Sequence, residues 1–164
     1  MEHLVILSLG SNLGDRLSNL KKALLLIEKK IGKPHLISSI YETSPWGNTH
    51  QPFFLNLTGG FYTTLSPTEV LNNLMEIELH LGRVRAEKWA ARIIDLDILY
   101  YEHEIIDEVN LRVPHPGIPI RRFILIPLCE NYPNFIDPVS GKKQQELLAQ
   151  CKDQEEVIKY NPVQ

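Results

Sequence analysis

Two aspartates one residue apart carry the strongest chemical signal in the chain. Asp95 and Asp97 lie in the apolar stretch IIDLDIL at 93–99, whose branched aliphatic residues predict a β-strand. Because side chains alternate between the faces of a strand, both carboxylates would share one face, with their Cα atoms about 6–7 Å apart. From there both can reach one metal ion, or two ions about 3.5–4 Å apart. The residues expected on the opposite face are Ile94, Leu96 and Ile98.

The surroundings of the two aspartates indicate which cation they would hold. Their other face-mates, Ile93 and Leu99, are apolar, so the face should be half-buried, where two uncompensated anions are costly to desolvate. Oxygen ligands without Cys or His alongside favour Mg²⁺. The cations before the strand, which could also hold a polyphosphate, are Arg83, Arg85, Lys88 and Arg92. Spacing alone leaves one alternative open, a solvent-facing D-x-D behind a charged loop, because D-x-D is short and common.

Composition bounds the class of protein. With 164 residues and 43% hydrophobic content, residues 1–164 are expected to form a single domain with its own core. A net charge of −3 gives no electrostatic footprint for nucleic acid. Cys129 and Cys151 are isolated and indicate reduced thiols. We see no signal peptide and no run near the roughly 18 apolar residues of a membrane span, so we expect a cytoplasmic monomer without a membrane or nucleic-acid partner.

The order of predicted elements indicates the fold. Apolar runs predict strands at 3–9, 36–41, 53–65 and 93–99. Helical spacing of Leu and Ile predicts helices at 16–31 and 67–81, the second opened by a capping box of Ser66 and Glu69. This β-α-β-β-α-β order is typical of the ferredoxin-like fold, an α+β class with a mostly antiparallel sheet. After it we expect a hairpin at 101–113, a rigid turn at 114–117 and short helices at 120–130 and 144–150.

Two loops between these elements could contact a ligand. GSNLGDR at 10–16 could cradle a phosphate at the start of a helix, but it lacks the dinucleotide and Walker spacings, so a structural turn is the favoured interpretation. The loop at 43–52 carries Trp46, which with Phe54 could form a slot for a flat heterocycle. The residues alone slightly favour the other interpretation, that these aromatics cap the core.

Three consecutive motifs resemble a known family. G-R-V-R at 82–85, W-x-x-R at 89–92 and I-D-L-D-I-L at 94–99 resemble the signature of the 6-hydroxymethyl-7,8-dihydropterin pyrophosphokinases. The resemblance continues, in family order, through GSNLGDR at 10–16, YETSPWG at 41–47, Q-P-x-F-L-N at 51–56, VPHP at 113–116 and RRF at 121–123. It implies an enzyme of folate biosynthesis that transfers diphosphate from ATP to the hydroxymethyl group of a pterin, with ATP and two Mg²⁺ ions at the site.

The resemblance also assigns roles by position. Asp95 and Asp97 would hold the metal and act in catalysis together with Arg83 and Arg92. The implied ATP contacts are Glu78, Arg83, Arg85, Lys88, Arg92, Ile98, His115 and Arg121. The implied pterin contacts are Thr43, Ser44, Pro45, Trp46, Phe54, Asn56 and Phe123. From the residues alone, Glu78 could equally be an exposed carboxylate paired with an arginine, and His115 a structural turn histidine.

The basic segment at 82–92 has no apolar periodicity, and we expect it to close over bound ATP. It also departs from the family pattern, with Lys88 in place of Arg and Ala90-Ala91 in place of Gly-Pro; Met75 replaces a polar residue. Lysine keeps the charge but loses the bidentate fork. Asp97 is only a candidate general base.

Two other classes of protein share the predicted fold. A palm-type nucleotidyltransferase also places two metal-binding aspartates on a ferredoxin-like sheet, but it needs a nucleic-acid track, which an acidic chain of this size does not offer. An RNA-recognition module needs an aromatic strand motif that this sequence lacks, and its sheet face would not accommodate D-x-D.

Overall fold

A computed structural model of the chain describes residues 1–44, 50, 52–83 and 91–161. The elements, in chain order, are strand β1 (His3–Ser11), helix α1 (Arg16–Lys30), strands β2 (Gly32–Ile37), β3 (Tyr41–Thr43) and β4 (Phe54–Thr63), helix α2 (Pro67–His80), strands β5 (Asp95–Tyr101), β6 (Ile106–Asp107) and β7 (Arg112–Val113), a 3₁₀ turn (Ile118–Ile120), helices α3 (Arg122–Asn131) and α4 (Gln144–Gln150), and strand β8 (Val157–Lys159).

One antiparallel sheet organises these elements. Its order is β5-β1-β4-β3-β8, and β2 pairs with β4 next to β3. All pairings are antiparallel, which confirms the predicted ferredoxin-like α+β fold. Strand β1 lies between β4 and β5, and it places Gly10 opposite Asn56 of β4 on one side and opposite Asp95 of β5 on the other.

The two faces of the sheet are covered by different helices. Helices α1 and α2 pack over the main core, to which Ile94, Leu96 and Ile98 contribute as predicted. Helices α3 and α4 pack over a second cluster that contains Ile6, Leu99 and Tyr100. The aspartates alternate with Leu96 and Ile98, so they lie on the face away from the main core.

The predicted start of the fourth strand is wrong by two residues, because β5 begins at Asp95. The Arg92 N–H donates to Asn12 Oδ1 (2.7 Å), the Asn12 N–H donates to Arg92 O (3.0 Å), and Asn19 Nδ2 donates to Ile93 O (3.2 Å). These bonds tie residues 92–93 to the turn after β1 and to helix α1 instead of to a neighbouring strand. Ile93 therefore packs against the main core and does not share the face of the aspartates.

The helix signals in the sequence are confirmed. Asp15 accepts a hydrogen bond from the Ser18 N–H (3.1 Å) at the start of α1. At α2, Glu69 N–H donates to Ser66 Oγ (3.2 Å) and Ser66 N–H donates to Glu69 Oε1 (2.9 Å), which completes the capping box. Gly82 follows α2 with φ of +97°, a conformation that favours glycine.

The predicted strand at 36–41 is wrong, because the chain forms β2 and β3 with a break at 38–40. Glu130 of α3 causes this break by accepting from the Ser39 N–H (3.1 and 3.0 Å) and from Tyr41 Oη (2.6 Å). Strand β8 was not predicted, and α3 begins at Arg122, two residues later than expected, after the 3₁₀ turn. None of the helices in the described ranges is long and apolar enough to cross a membrane.

Candidate active site

Asp95 sits at the start of β5 between two arginines. Its Oδ1 accepts from Arg83 Nη1 (3.0 Å) and its Oδ2 from Arg92 Nη1 (3.0 Å). The Asp95 side chain is 26% exposed, so this face is half-buried as predicted. Both oxygens retain lone pairs for a further ligand, because a carboxylate can accept about four hydrogen bonds or coordination bonds.

Glu78, near the end of α2, fixes Arg83 in this arrangement. Glu78 Oε2 accepts from Arg83 Nη1 (2.6 Å) and from the Leu96 N–H of β5 (2.8 Å). Its side chain is only 13% exposed, and burial raises the pKa of Glu78 despite the two donors. Glu78 thus pairs with an arginine but is not an exposed surface carboxylate. It joins the helix layer to the strand that carries the aspartates.

Among the described residues, no arginine donates to Asp97 as Arg83 and Arg92 do to Asp95. Burial, followed by the charges of Asp95 and Glu78, raises the pKa of Asp97 to about 7, and the charges of Arg83 and Arg121 only partly offset this rise. The face is therefore short of positive charge at this carboxylate. In an ordinary buried network such a deficit destabilises the fold; at a cation site it favours binding.

The donor set fits magnesium. Within the described ranges no group of three or more His, Cys, Asp or Glu side chains could hold a metal ion. A closed protein cage, as in a structural zinc site, is therefore not formed by these residues. Mg²⁺ instead takes one or two carboxylates and completes its shell with waters and substrate phosphates, so Asp95 and Asp97 suffice as protein ligands.

A first cavity opens beside the aspartates between β1, β3, β4 and the start of α3. Aromatic and amide side chains form one part of its wall and charged groups the other. Its lining is Ser8, Leu9, Gly10, Thr43, Ser44, Phe54, Asn56, Leu57, Arg92, Asp95, Asp97, Arg121 and Phe123. Of the predicted pterin contacts, Thr43, Ser44, Phe54, Asn56 and Phe123 are thus brought together.

Gly10 keeps this cavity open. A Cβ at Gly10 would lie 2.8 Å from Asn56 Oδ1 and 3.5 Å from the Phe54 ring. Asn56 is itself held in place, because its Nδ2 donates to Thr43 Oγ1 (2.8 Å). The amide oxygen of Asn56 therefore points towards the space that the missing Gly10 side chain leaves.

A second cavity lies beside α2 and shares four residues with the first. Its lining is Leu71, Asn72, Met75, Glu78, Arg83, Arg92, Asp95, Leu96, Asp97, Asn110 and Arg121. The shared residues are Arg92, Asp95, Asp97 and Arg121. The aspartate pair therefore lies where two cavities meet, one with aromatic walls and one with a helix wall.

His115 is fixed by its own turn, as the two flanking prolines suggest. The Gly117 N–H donates to His115 Nδ1 (2.9 Å), so the neutral ring carries its proton on Nε2. Burial lowers the pKa of His115, and the nearby Arg121 lowers it further. The ring is therefore a neutral Nε2–H donor at pH 7.

The remaining predicted residues are placed as follows. Arg121 lies at both cavities, with its guanidinium carbon 5.8 Å from the centre of the Phe123 ring. The Ile98 side chain is buried in the main core, on the face opposite the aspartates, so any contact with ATP would be made by its backbone. Pro45, Trp46, Arg85 and Lys88 lie outside the described residues, as does most of the expected lid at 82–92.

The sequence analysis missed Ser8, Gly10 and Asn12 as site residues. Strand β1 continues to Ser11, so Gly10 lies in the strand and lines the first cavity instead of forming a turn. Asn12 is 1% exposed and bonds both neighbouring segments, with Oδ1 to the Arg92 N–H and Nδ2 to Pro52 O (3.1 Å). The signal available in the sequence was an asparagine shortly after an apolar run.

Comparison with known proteins decides the family. The sequence pattern of the 7,8-dihydro-6-hydroxymethylpterin-pyrophosphokinase (HPPK) family matches residues 6–133. The chain belongs to the HPPK family. A 2-amino-4-hydroxy-6-hydroxymethyldihydropteridine pyrophosphokinase of Aquifex aeolicus is 41% identical over 143 residues, 87% of this chain and 89% of that protein. The enzyme of the same name from Bacillus subtilis is 41% identical over 131 residues, 79% and 78% of the two chains.

Solved structures agree on the fold. A crystal structure described as HPPK-DHPS in complex with substrates matches with a TM-score of 0.74 at 17% identity. A Plasmodium falciparum HPPK-DHPS structure matches with a TM-score of 0.77 at 19% identity. The match covers 91% and 92% of this chain but only 43% of each of those longer chains, so this chain spans less than half their length. These matches show that the chain shares its fold with the matched part of each of those structures.

The uncompensated charge at Asp97 should lower the stability of the metal-free protein at high pH. The pKa of Asp97 has its ordinary value of 3.8 in the unfolded chain and is about 7 in the folded chain. Between pH 3.8 and 7, folding therefore takes up a proton, and the free energy of unfolding falls as the pH rises through this range. Asp97→Asn should therefore stabilise the protein in EDTA at pH 8 by on the order of 2 kcal/mol, about 4–8 °C in Tm. The difference should vanish near pH 4.

Asp95→Asn is the matched control. It leaves Arg83 and Arg92 with a neutral partner, so it should lower Tm under the same conditions. Thermal unfolding followed by circular dichroism from pH 4 to 8 measures both. Equal destabilisation by the two substitutions at pH 8 would show that Asp97 is electrostatically satisfied without metal.

Proposed function

We propose that the chain transfers diphosphate from ATP to the hydroxymethyl group of 6-hydroxymethyl-7,8-dihydropterin, giving AMP and the pterin diphosphate. One observation carries the proposal: the carboxylates of Asp95 and Asp97 lie where an aromatic and amide-lined cavity meets a second cavity bordered by arginines. This is the arrangement that transfer between two bound substrates needs. Membership of the HPPK family and the activity after which the relatives are named support it.

The first cavity suits the pterin. A flat bicyclic ring can stack between Phe54 and Phe123, which line the same cavity. A pterin edge offers both donors and acceptors, and the amide of Asn56 can match both with its Oδ1 and its second Nδ2 hydrogen. Because Asn56 Nδ2 donates to Thr43 Oγ1, the Thr43 hydroxyl proton is left to donate elsewhere. Pro45 and Trp46 belong to the proposed pocket by position in the family motif only.

The second cavity suits ATP. Arg83, Arg92 and Arg121 offer guanidinium donors to phosphate oxygens, and His115 Nε2–H is a neutral donor close to Arg121. Leu71 and Met75 of α2 offer an apolar surface for the base. Arg85 and Lys88 remain proposed phosphate contacts on the strength of the motif.

We propose that Asp95 and Asp97 hold two Mg²⁺ ions that arrive with the nucleotide. When bound, these ions neutralise the charge on the transferred diphosphate and on the departing AMP. The charge deficit at Asp97 supports this assignment, because a divalent cation would supply what Arg83 and Arg121 only partly supply. Asp95, already between two arginines, would orient the cations relative to the phosphates.

The residues act chiefly by positioning. The pterin hydroxymethyl oxygen forms a bond to the β-phosphorus of ATP, and the bond from that phosphorus to the oxygen bridging the α-phosphorus breaks. AMP leaves with the bridging oxygen, and the hydroxymethyl proton is lost to the medium. Phosphoryl transfer needs little covalent help from a protein, so alignment of the two substrates and donors that follow the charge supply most of the rate. Arg83 and Arg92, which both contact Asp95, are placed to donate to the phosphate oxygens as negative charge develops on them.

The two relatives described above are named as pyrophosphokinases, which favours this activity over the two alternative classes from the sequence analysis. The two-cavity arrangement favours two small-molecule substrates over a nucleic-acid strand. We treat residues 1–164 as one catalytic unit acting in the cytoplasm, with ATP and the pterin as its partners.

The activity itself is the first test. Incubation with ATP, Mg²⁺ and 6-hydroxymethyl-7,8-dihydropterin should produce AMP and pterin diphosphate in equal amounts, and no ADP. Asp97→Ala should lower kcat by at least about a hundredfold while the circular dichroism spectrum is unchanged, because electrostatic groups at a transferring phosphate have effects of this size. Asp107→Ala, at an exposed aspartate of β6, is the control and should keep full activity. ADP formation, or AMP without pterin, would refute diphosphate transfer.

Gly10 tests the pterin cavity separately. Gly10→Ala should raise the KM for the pterin at least about tenfold, because its methyl group would meet Asn56 Oδ1 and enter the space next to Phe54. The KM for ATP should change little, since Gly10 is not one of the described residues that line the second cavity. Steady-state kinetics with each substrate varied in turn gives both values. An unchanged pterin KM would place the ring elsewhere.

A further inference from the structure

The segment after α4 passes beside both walls of the first cavity. It consists of residues 153–159, which lie beyond residues 6–133 that the family pattern matches. Its last part, β8, covers the free edge of β3, with Val157 opposite Thr43 and Ile158 opposite Glu42. The cavity therefore depends on a part of the chain outside the matched motifs.

Segment 153–159 contacts one wall of the first cavity, the end of β3, through Ser44. Ser44 follows β3, lines the cavity and donates its hydroxyl proton to Glu155 Oε2. With its proton committed to Glu155, the Ser44 oxygen can only accept hydrogen bonds from a ligand in the cavity. Glu155 therefore fixes both the position and the polarity of a wall residue.

The same segment contacts the opposite wall, formed by Arg121 and Phe123, at the start of α3. Arg121, at the N-cap position of α3, makes no side-chain cap, and Asp153 takes this role by accepting from the Arg122 N–H with Oδ2 (3.0 Å). Asp153 Oδ1 accepts from the Glu155 N–H (2.9 Å), and Arg122 Nε donates to Glu155 O (3.2 Å). The residues on either side of Arg122 are Arg121 and Phe123, which line the cavity.

We propose that Asp153 and Glu155 are positioning residues that set the two walls of the first cavity relative to each other. Glu155 orients Ser44 as an acceptor for a donor group on the bound ring. Asp153 anchors the turn that presents Arg121 and Phe123. The inference rests on the proposed function, in which this cavity takes the pterin, and its consequence is selectivity for a ring edge that carries N–H donors.

Three variants of the 164-residue chain test the role of Glu155. Glu155→Ala removes the acceptor, Glu155→Gln keeps an acceptor oxygen without the charge, and Glu156→Ala removes a charge from an exposed neighbour. Glu155→Ala should raise the pterin KM about fivefold, the typical effect of one hydrogen bond, with ATP KM and Tm unchanged. Glu155→Gln and Glu156→Ala should keep the wild-type value. An unchanged pterin KM in Glu155→Ala, or an equal rise in both KM values, would overturn the proposal.

Hydrogen exchange gives a readout that does not need catalysis. In Glu155→Ala, amides of the peptide that covers residues 41–44 should exchange faster than in the wild type and in Glu156→Ala. Unchanged exchange would overturn the positioning role whether or not the enzyme is active. Failure of the wild type to make AMP from ATP and pterin would instead reject the proposed function, so the two failures are distinguishable.

Discussion

Three carboxylates and two arginines at the start of β5 are the constraint around which this molecule is arranged. Glu78 Oε2 binds both Arg83 and the backbone of Leu96, and Asp95 binds Arg83 and Arg92. These contacts pair two of the three negative charges and leave Asp97 with a raised pKa. A network that stopped there would be less stable than a neutral one. A divalent cation that arrives with the nucleotide would supply the missing positive charge.

The sheet order places this cluster beside the first cavity. Because β1 lies between β4 and β5, a single residue, Gly10, has Asn56 on one side and Asp95 on the other. The absence of a side chain there leaves room between the amide proposed to recognise a ring edge and the carboxylates proposed to bind Mg²⁺. The separation of Asn56 from Asp95 is thus set by the spacing of adjacent strands, about 4.8 Å. Paired strands hold this separation fixed, as the alignment of two substrates for phosphoryl transfer requires.

Local signals in the sequence were sufficient for part of this picture. The Asp15 cap, the Ser66 capping box and the alternation of Asp95 with Leu96 depend on neighbours in the chain, and the structure confirms them. The break between β2 and β3 could not be predicted, because it comes from Glu130, about ninety residues away. Strand β8 is only three residues long and needs the edge of β3 to form. Gly10 appeared to belong to a turn because its role depends on two strands that pair with β1.

The assignment of the two aspartates as metal ligands is the claim on which the mechanism depends. Electron paramagnetic resonance can count Mn²⁺ ions bound per chain in the presence of α,β-methylene-ATP, which cannot release AMP. The account predicts two ions in the wild type and fewer than two in both Asp95→Asn and Asp97→Asn, with the nucleotide analogue saturating in each case. Two ions retained in both variants would show that the nucleotide binds its metal without these carboxylates.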